Sequence, residues 1–88
     1  MQNLVEGYEF DIVLGDFNLN ALELHPSLTQ TFVNYTLMVT EPTHISGSLL
    51  DHCYINDNLL QMYNTTCYVV TVPFSDHDAV QIQLKPKF

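Results

Sequence analysis

The chain has 88 residues, 47% of them hydrophobic and 14% charged, a balance that excludes a disordered segment but supports only one thin core. Ten acidic residues stand against two lysines and no arginine, for a formal charge of −8, so the segment lacks the basic stripe with which proteins grip a nucleic-acid backbone. No apolar run approaches the roughly 20 residues of a membrane span, and Met1-Gln2-Asn3 followed by Glu6, Glu9 and Asp11 has no signal-peptide character, which favours an intracellular setting, nuclear or cytoplasmic.

In chain order, Tyr8–Leu14 is apolar and β-branched between Gly7 and Gly15, the pattern of a buried strand. Ser27-Leu28-Thr29-Gln30 fits a capping box with Ser27 as N-cap, and Leu28, Phe32 and Tyr35 recur at helical spacing, which predicts a short helix over Ser27–Tyr35. Thr36–Thr40 is β-rich and closed by Pro42, and Leu49–Ile55 is a further strand after the turn at Ile45-Ser46-Gly47-Ser48. Asn56-Asp57-Asn58 has turn composition, and Leu59–Tyr63 suits either a strand or a helix. Cys67–Val72 is strongly β and stops at Pro73. Ala79–Leu84 alternates, with Val80, Ile82 and Leu84 on one face and Gln81 and Gln83 on the other. Cys53 and Cys67 both fall in strand-like segments, and reduced, partly buried thiols are expected of them.

Three clusters carry possible chemistry, each at a strand end. Gly15-Asp16-Phe17-Asn18 puts Asp16 and Asn18 on one face if the strand continues. Thr43-His44 leads through Ser46-Gly47-Ser48 to Leu49-Leu50-Asp51-His52, and Ser75-Asp76-His77-Asp78 lies between the last two strands. An Asp–His pair beside further carboxylates serves proton transfer, a divalent metal, or both. Singly, each cluster has an ordinary reading: a turn, or a solvated Asp–His pair. His25 and His44 read as surface or capping residues, and Asp57 and Asp78 as solvated turn residues.

Taken in order, Gly-Asp-x-Asn after an apolar strand, Leu-Asp entering a strand and Ser-Asp-His before the last strand resemble the carboxy-terminal half of the endonuclease/exonuclease/phosphatase superfamily, the deoxyribonuclease I-like proteins. The run Pro42–His52 is most similar to endonuclease domains carried by mobile elements. The resemblance covers Phe10–Leu84 and implies that residues 1–88 are one partial domain. Its fold would be α+β, one mostly antiparallel sheet with one or two helices, half of a four-layer α/β/β/α sandwich.

The activity implied is magnesium-dependent, or manganese-dependent, phosphodiester hydrolysis, with DNA as the substrate of the full domain and no membrane partner. Asp16 would activate or orient the attacking water, and Asn18 would hold the scissile phosphate. Asp76 would help bind the metal. His77 would stabilise charge on the phosphate, with Asp51 hydrogen-bonded to it. The family's amino-terminal half supplies an Asn and a metal-binding Glu, for which nothing in Met1–Gly7 can substitute. The metal site is therefore expected to be incomplete and the chain inactive alone, its missing half being its first partner. A non-catalytic remnant or interaction module, or a lipid or inositol phosphate phosphatase fragment, is the alternative. The interval from Asn18 to Asp51 is short for the family and leaves little chain for a substrate-recognition loop.

Overall fold

The computed structural model describes residues 10–87, so the start of the strand expected over Tyr8–Leu14, together with Glu6 and Glu9, lies outside the described residues. The order is β1 (Ile12–Asp16), α1 (Pro26–Thr31), β2 (Tyr35–Leu37), β3 (Asp51–Asn56), α2 (Asp57–Met62), β4 (Tyr63–Val70) and β5 (Ala79–Pro86). The class is α+β with every strand pair antiparallel, as the sequence implies. The strands divide into a three-stranded sheet of order β1-β3-β2 and a two-stranded β4-β5 ladder. No helix among the described residues is long and apolar enough to cross a membrane.

Strand limits shift from the sequence reading, with β2 at Tyr35–Leu37 against Thr36–Thr40 and β4 at Tyr63–Val70 against Cys67–Val72, and two helix starts depart from it more sharply. The capping box at Ser27 does not form. His25 is the N-cap of α1 and makes no side-chain cap bond, while Pro26 takes the start of the helix, where its fixed φ and missing N–H are no cost. Ser27 is thereby drawn inside the first turn, and its carbonyl accepts the Thr31 hydroxyl at 2.7 Å. The helix ends at Thr31 rather than Tyr35, because Phe32 leaves the helical path to stack on Tyr54, centroids 4.0 Å apart and planes 5° from parallel.

The second departure is Asn56-Asp57-Asn58, which begins a helix instead of a turn. Asn56 Oδ1 accepts the Leu59 N–H at 3.3 Å and Asp57 sits in the first turn of α2, where a side-chain cap and a negative charge both complement the exposed amide dipoles. The segment Leu59–Tyr63, open to either reading, is thus the helix α2 up to Met62, and Tyr63 begins β4.

Each face of the three-stranded sheet has its own cover. In an antiparallel ladder opposed residues project to the same side, and the β1–β3 register pairs Ile12 with Ile55 and Leu14 with Cys53. That side continues into the buried cluster of Val39, Leu49, Cys53, Ile55 and Leu59, against which Cys67, Val69, Val80 and Ile82 of the β4-β5 ladder pack. Val80 and Ile82 face inward and Gln81 and Gln83 outward as the alternation predicts, while Leu84 is 40% exposed. The described residues span 42 × 32 × 15 Å. A slab so thin leaves Ile12 and Leu14 40% and 54% exposed.

The opposite side is aromatic. Phe17 stacks on His52 (4.6 Å, 11°) and meets Phe32 and Tyr54 edge-on. His52 is fully buried, and its Nε2–H donates to the carbonyls of Leu19 (2.8 Å) and Leu49 (3.0 Å) while Nδ1 accepts the Tyr54 hydroxyl (3.1 Å). Every polar atom of the ring therefore has a partner, as burial requires.

Cys53 and Cys67 are free thiols. Burial, with a smaller effect of Cys67, pushes the Cys53 thiol up to about 11. Burial and then Glu41 raise Cys67.

Replacing His52 removes both a packed ring and three hydrogen bonds. His52→Ala is expected to lower stability by about 2–4 kcal/mol, read as a fall in the urea midpoint. A midpoint unchanged from the parent chain would show that the ring bears no part of the core.

Candidate functional site

Three segments remote in sequence meet at one end of the β1–β3 ladder. Antiparallel pairing puts the last residue of β1 opposite the first of β3, so Asp16 and Asp51 are Cα partners. As opposed residues they project to one side, the same side as Leu14 and Cys53. His77 arrives from the loop before β5, where it forms an isolated antiparallel bridge with His44. The ligand atoms of Asp16, Asp51 and His77 all lie within 4.8 Å of one another.

The triad is graded in exposure. Asp51 is 18% exposed, His77 34% and Asp16 51%. His77 Nδ1–H donates to Asp51 Oδ2 at 2.7 Å, a charge-assisted length. That bond leaves Nε2 on the open side, 3.8 Å from Asp16 Oδ2. A separation of 3.8 Å is beyond a direct hydrogen bond and leaves both atoms available to a third group. Asp16 Oδ1 is engaged by the Asn18 N–H at 2.9 Å, so one carboxylate oxygen is fixed by its own turn while the other faces His77.

That turn changes the role of Asn18. The strand does not continue through it. Asn18 has φ 52°, in the left-handed region that Asn tolerates better than most residues, so it is exposed and acts on Asp16 through its backbone. Phe17, as expected, turns to the other face. Asp76 is exposed and stands outside the close triad. Its carbonyl accepts the Ile45 N–H at 2.8 Å.

Thr43, which the sequence reading did not single out as a site residue, ties the pieces together. It is fully buried. Its Oγ1 accepts the N–H groups of Leu50 (3.1 Å) and Asp51 (3.0 Å), and its carbonyl accepts the Asp78 N–H at 2.7 Å. One residue thereby fixes the carboxylate that orients His77 and the loop that carries His77. The only trace in the sequence is its place ahead of the Ser46-Gly47-Ser48 turn. Asn20 plays a parallel part. Its Oδ1 accepts the Leu49 N–H at 2.9 Å and its carbonyl takes a ring N–H of His25 at 2.9 Å.

A cavity of about 180 Å³ opens beside the carboxylates, lined by Leu14, Gly15, Asp16, Asp51, Asp78 and Val80. A larger one, about 400 Å³, lies against α1 and is lined by Leu28, Phe32 and Tyr54 among others. It is on the opposite face of the sheet, because Tyr54 and Asp51 differ by an odd number of strand positions.

His77 holds its proton more tightly than a free imidazole. The hydrogen bond to Asp51 is the largest cause; partial burial opposes it, and the charges of Asp51, Asp16 and Asp76 add to it. The stability this contributes is fully present below the unfolded imidazole value of 6.5 and is lost as pH rises through the folded value.

Comparisons of this chain with protein-family models, with curated proteins and with solved structures find no match. The chemistry of the site therefore rests on its geometry.

Two measurements test this geometry. The imidazole resonances of His77 are expected to titrate with a midpoint above 6.5, and Asp51→Asn to bring that midpoint down; a midpoint indifferent to Asp51 would mean the 2.7 Å bond does not form in solution. Thr43→Val keeps the shape but removes the acceptor of two buried N–H groups. It is expected to cost about 1–3 kcal/mol and to accelerate amide hydrogen exchange at Leu50 and Asp51 ahead of the rest of β3.

Proposed function

We propose that this chain carries the carboxy-terminal share of a divalent-metal-dependent phosphodiester hydrolase site, of the endonuclease/exonuclease/phosphatase type, with DNA as the substrate of the complete domain. The observation that carries the reading is the convergence of Asp16, Asp51 and His77 from three separate segments, with Asp51 on His77 Nδ1 at 2.7 Å. A solvated surface pair does not need a buried threonine to assemble it.

The chemistry follows from the arrangement. Hydrolysis adds negative charge to a centre that is already anionic, so a preorganised cationic donor aimed at that centre gives the largest benefit. Asp51 holds the His77 ring and favours its protonated form, leaving Nε2–H to donate to a phosphate oxygen. Asp16 Oδ2, across a 3.8 Å gap, is placed to accept a proton from a water attacking the same phosphorus. Asn18 supports this by fixing the other oxygen of Asp16, and its exposed amide is free to meet the phosphate.

The donor set suits a hard cation, since Asp16 and Asp76 offer exposed carboxylate oxygens of the kind magnesium and manganese take. Asp76 would contribute an oxygen to the ion from outside the close group of Asp16, Asp51 and His77, and the ion would supply charge neutralisation at the phosphate. One or two carboxylates leave most of its coordination to water, substrate and groups beyond this chain. Ile12 and Leu14, left partly exposed beside the cover that the β4-β5 ladder provides, support the same half-domain reading, as side chains that a further segment would cover. They equally suit a non-catalytic interaction module. The charge of −8 assigns the grip on a nucleic-acid backbone to other parts of the complete domain.

Manganese titration followed by NMR of the full chain is the direct test. Paramagnetic broadening is expected first at Asp16, Asp51 and Asp76–His77, and Asp16→Asn or Asp76→Asn is expected to weaken it about tenfold. Broadening spread evenly over the acidic residues would sink the metal-site reading. Magnesium-dependent nicking of supercoiled plasmid, lost in His77→Ala, would show that these residues suffice. Localised metal binding without nicking would assign the remaining groups to a second segment.

A further inference from the structure

We propose that His44 is a positioning residue for His77, a second imidazole that braces the first through an edge-to-face ring contact. The use of this brace in phosphodiester hydrolysis rests on the function proposed above; the ring placement does not.

His44 reads from the sequence as a surface or capping residue, and its nitrogens are not part of the three-residue ligand group. Its backbone nevertheless pairs with that of His77 in an isolated antiparallel bridge. The bonds on either side, Ile45 N–H to the Asp76 carbonyl at 2.8 Å and Asp78 N–H to the Thr43 carbonyl at 2.7 Å, hold the two histidines opposite each other. Opposed residues of an antiparallel bridge project to the same side, and the two rings meet there, with centroids 4.8 Å apart and planes at 75°. This edge-to-face arrangement is the one aromatic rings prefer at that distance.

A brace works only if it is itself held. His44 Nδ1 accepts the Ser46 N–H at 3.1 Å and the Ser46 hydroxyl lies 2.8 Å from the same nitrogen. A backbone N–H can only donate, so Nδ1 is the acceptor and the ring proton sits on Nε2. The Ser46 turn, closed by the Gly47 N–H to the His44 carbonyl at 2.9 Å, therefore locks the His44 ring. Gly47 has φ 89°, a conformation that side chains rarely adopt.

The consequence concerns the angular freedom of His77. One hydrogen bond from Nδ1 to Asp51 fixes the position of one ring atom but leaves the ring able to rock about that bond. A neighbouring ring at 75° restricts that motion. Nε2 is then held toward Asp16 without His44 touching a substrate.

The test is spectroscopic and uses neither metal nor nucleic acid. In the full chain, exchange of the His77 Nδ1 proton with water is followed by NMR. His44→Ala is expected to accelerate it by about two- to tenfold, the factor equivalent to one edge-to-face ring contact. His44→Phe, which keeps a ring but no nitrogen, is expected to restore most of the protection. Exchange in His44→Ala equal to the parent would overturn the proposal, and so would a His44→Phe rate equal to that of His44→Ala. Ser46→Ala, a change at an exposed residue, is expected to accelerate exchange in the same direction while leaving the amide spectrum of β4 and β5 unchanged. If these effects appear while manganese binds diffusely, the brace stands and the metal-dependent function fails. Localised manganese binding without these effects would remove the brace and leave the metal site standing.

Discussion

Everything at the site hangs on the buried side chain and carbonyl of Thr43. An isolated hydroxyl in a protein interior is costly unless it is paired, and this one is paired with two consecutive N–H groups, those of Leu50 and Asp51. Because these two amides enter β3, the bond sets where the strand begins and how Asp51 leaves it. The Thr43 carbonyl then receives Asp78, which brings in the loop carrying His77. Two chain segments separated by more than twenty residues are thus referenced to one buried residue. The alternative cover for such amides, water, would let the segments move independently.

Strand pairing adds the third member. A one-residue slip in an antiparallel ladder moves every side chain to the other face. The β1–β3 register pairs Ile12 with Ile55 and Leu14 with Cys53, and a one-residue slip of β3 would carry the fully buried Cys53 and Ile55 out of the core cluster. The core therefore dictates that Asp16 and Asp51 share a face. Two carboxylates side by side repel, and the structure relieves this unequally. Asp51 is largely covered and bonded to His77, whereas Asp16 stays half exposed with one oxygen held by the Asn18 amide. That division of labour separates an orienting carboxylate from an available one.

On the other face of the sheet, the aromatic cluster around His52 has a structural role of the same kind. Its ring ties Leu19 and Leu49 across the start of β3, so the loop that follows Asp16 cannot lift away from the strand that carries Asp51. Adjacent residues in the sequence, Asp51 and His52, thus serve opposite faces of the sheet: Asp51 the polar end of the apolar face, His52 the aromatic cluster. A histidine next to an aspartate reads as a reactive pair in sequence. Strand alternation sends the two side chains to different sides, and the partner of Asp51 proves to be His77.

Much of this protein was legible in its amino-acid order. Alternation identified Val80, Ile82, Gln81 and Gln83, the β-rich runs located all five strands, and the three acidic clusters at strand ends pointed to residues that do come together. These are local properties, set by side-chain size, branching and polarity, and they survive in any context. The start of α1 at Pro26, the cap made by Asn56, the left-handed Asn18 and the buried roles of Thr43 and His52 were not legible, because each depends on which backbone groups are left without water once the sheets pack. Sequence alone determined which residues could form strands and which could hold a proton or a cation. The pairing of Asp51 with His77 was already implied by the resemblance of the motifs. Only the tertiary structure decided that Thr43 fixes both of their segments and that His44 stands beside His77, since those choices are made by contacts across long sequence gaps.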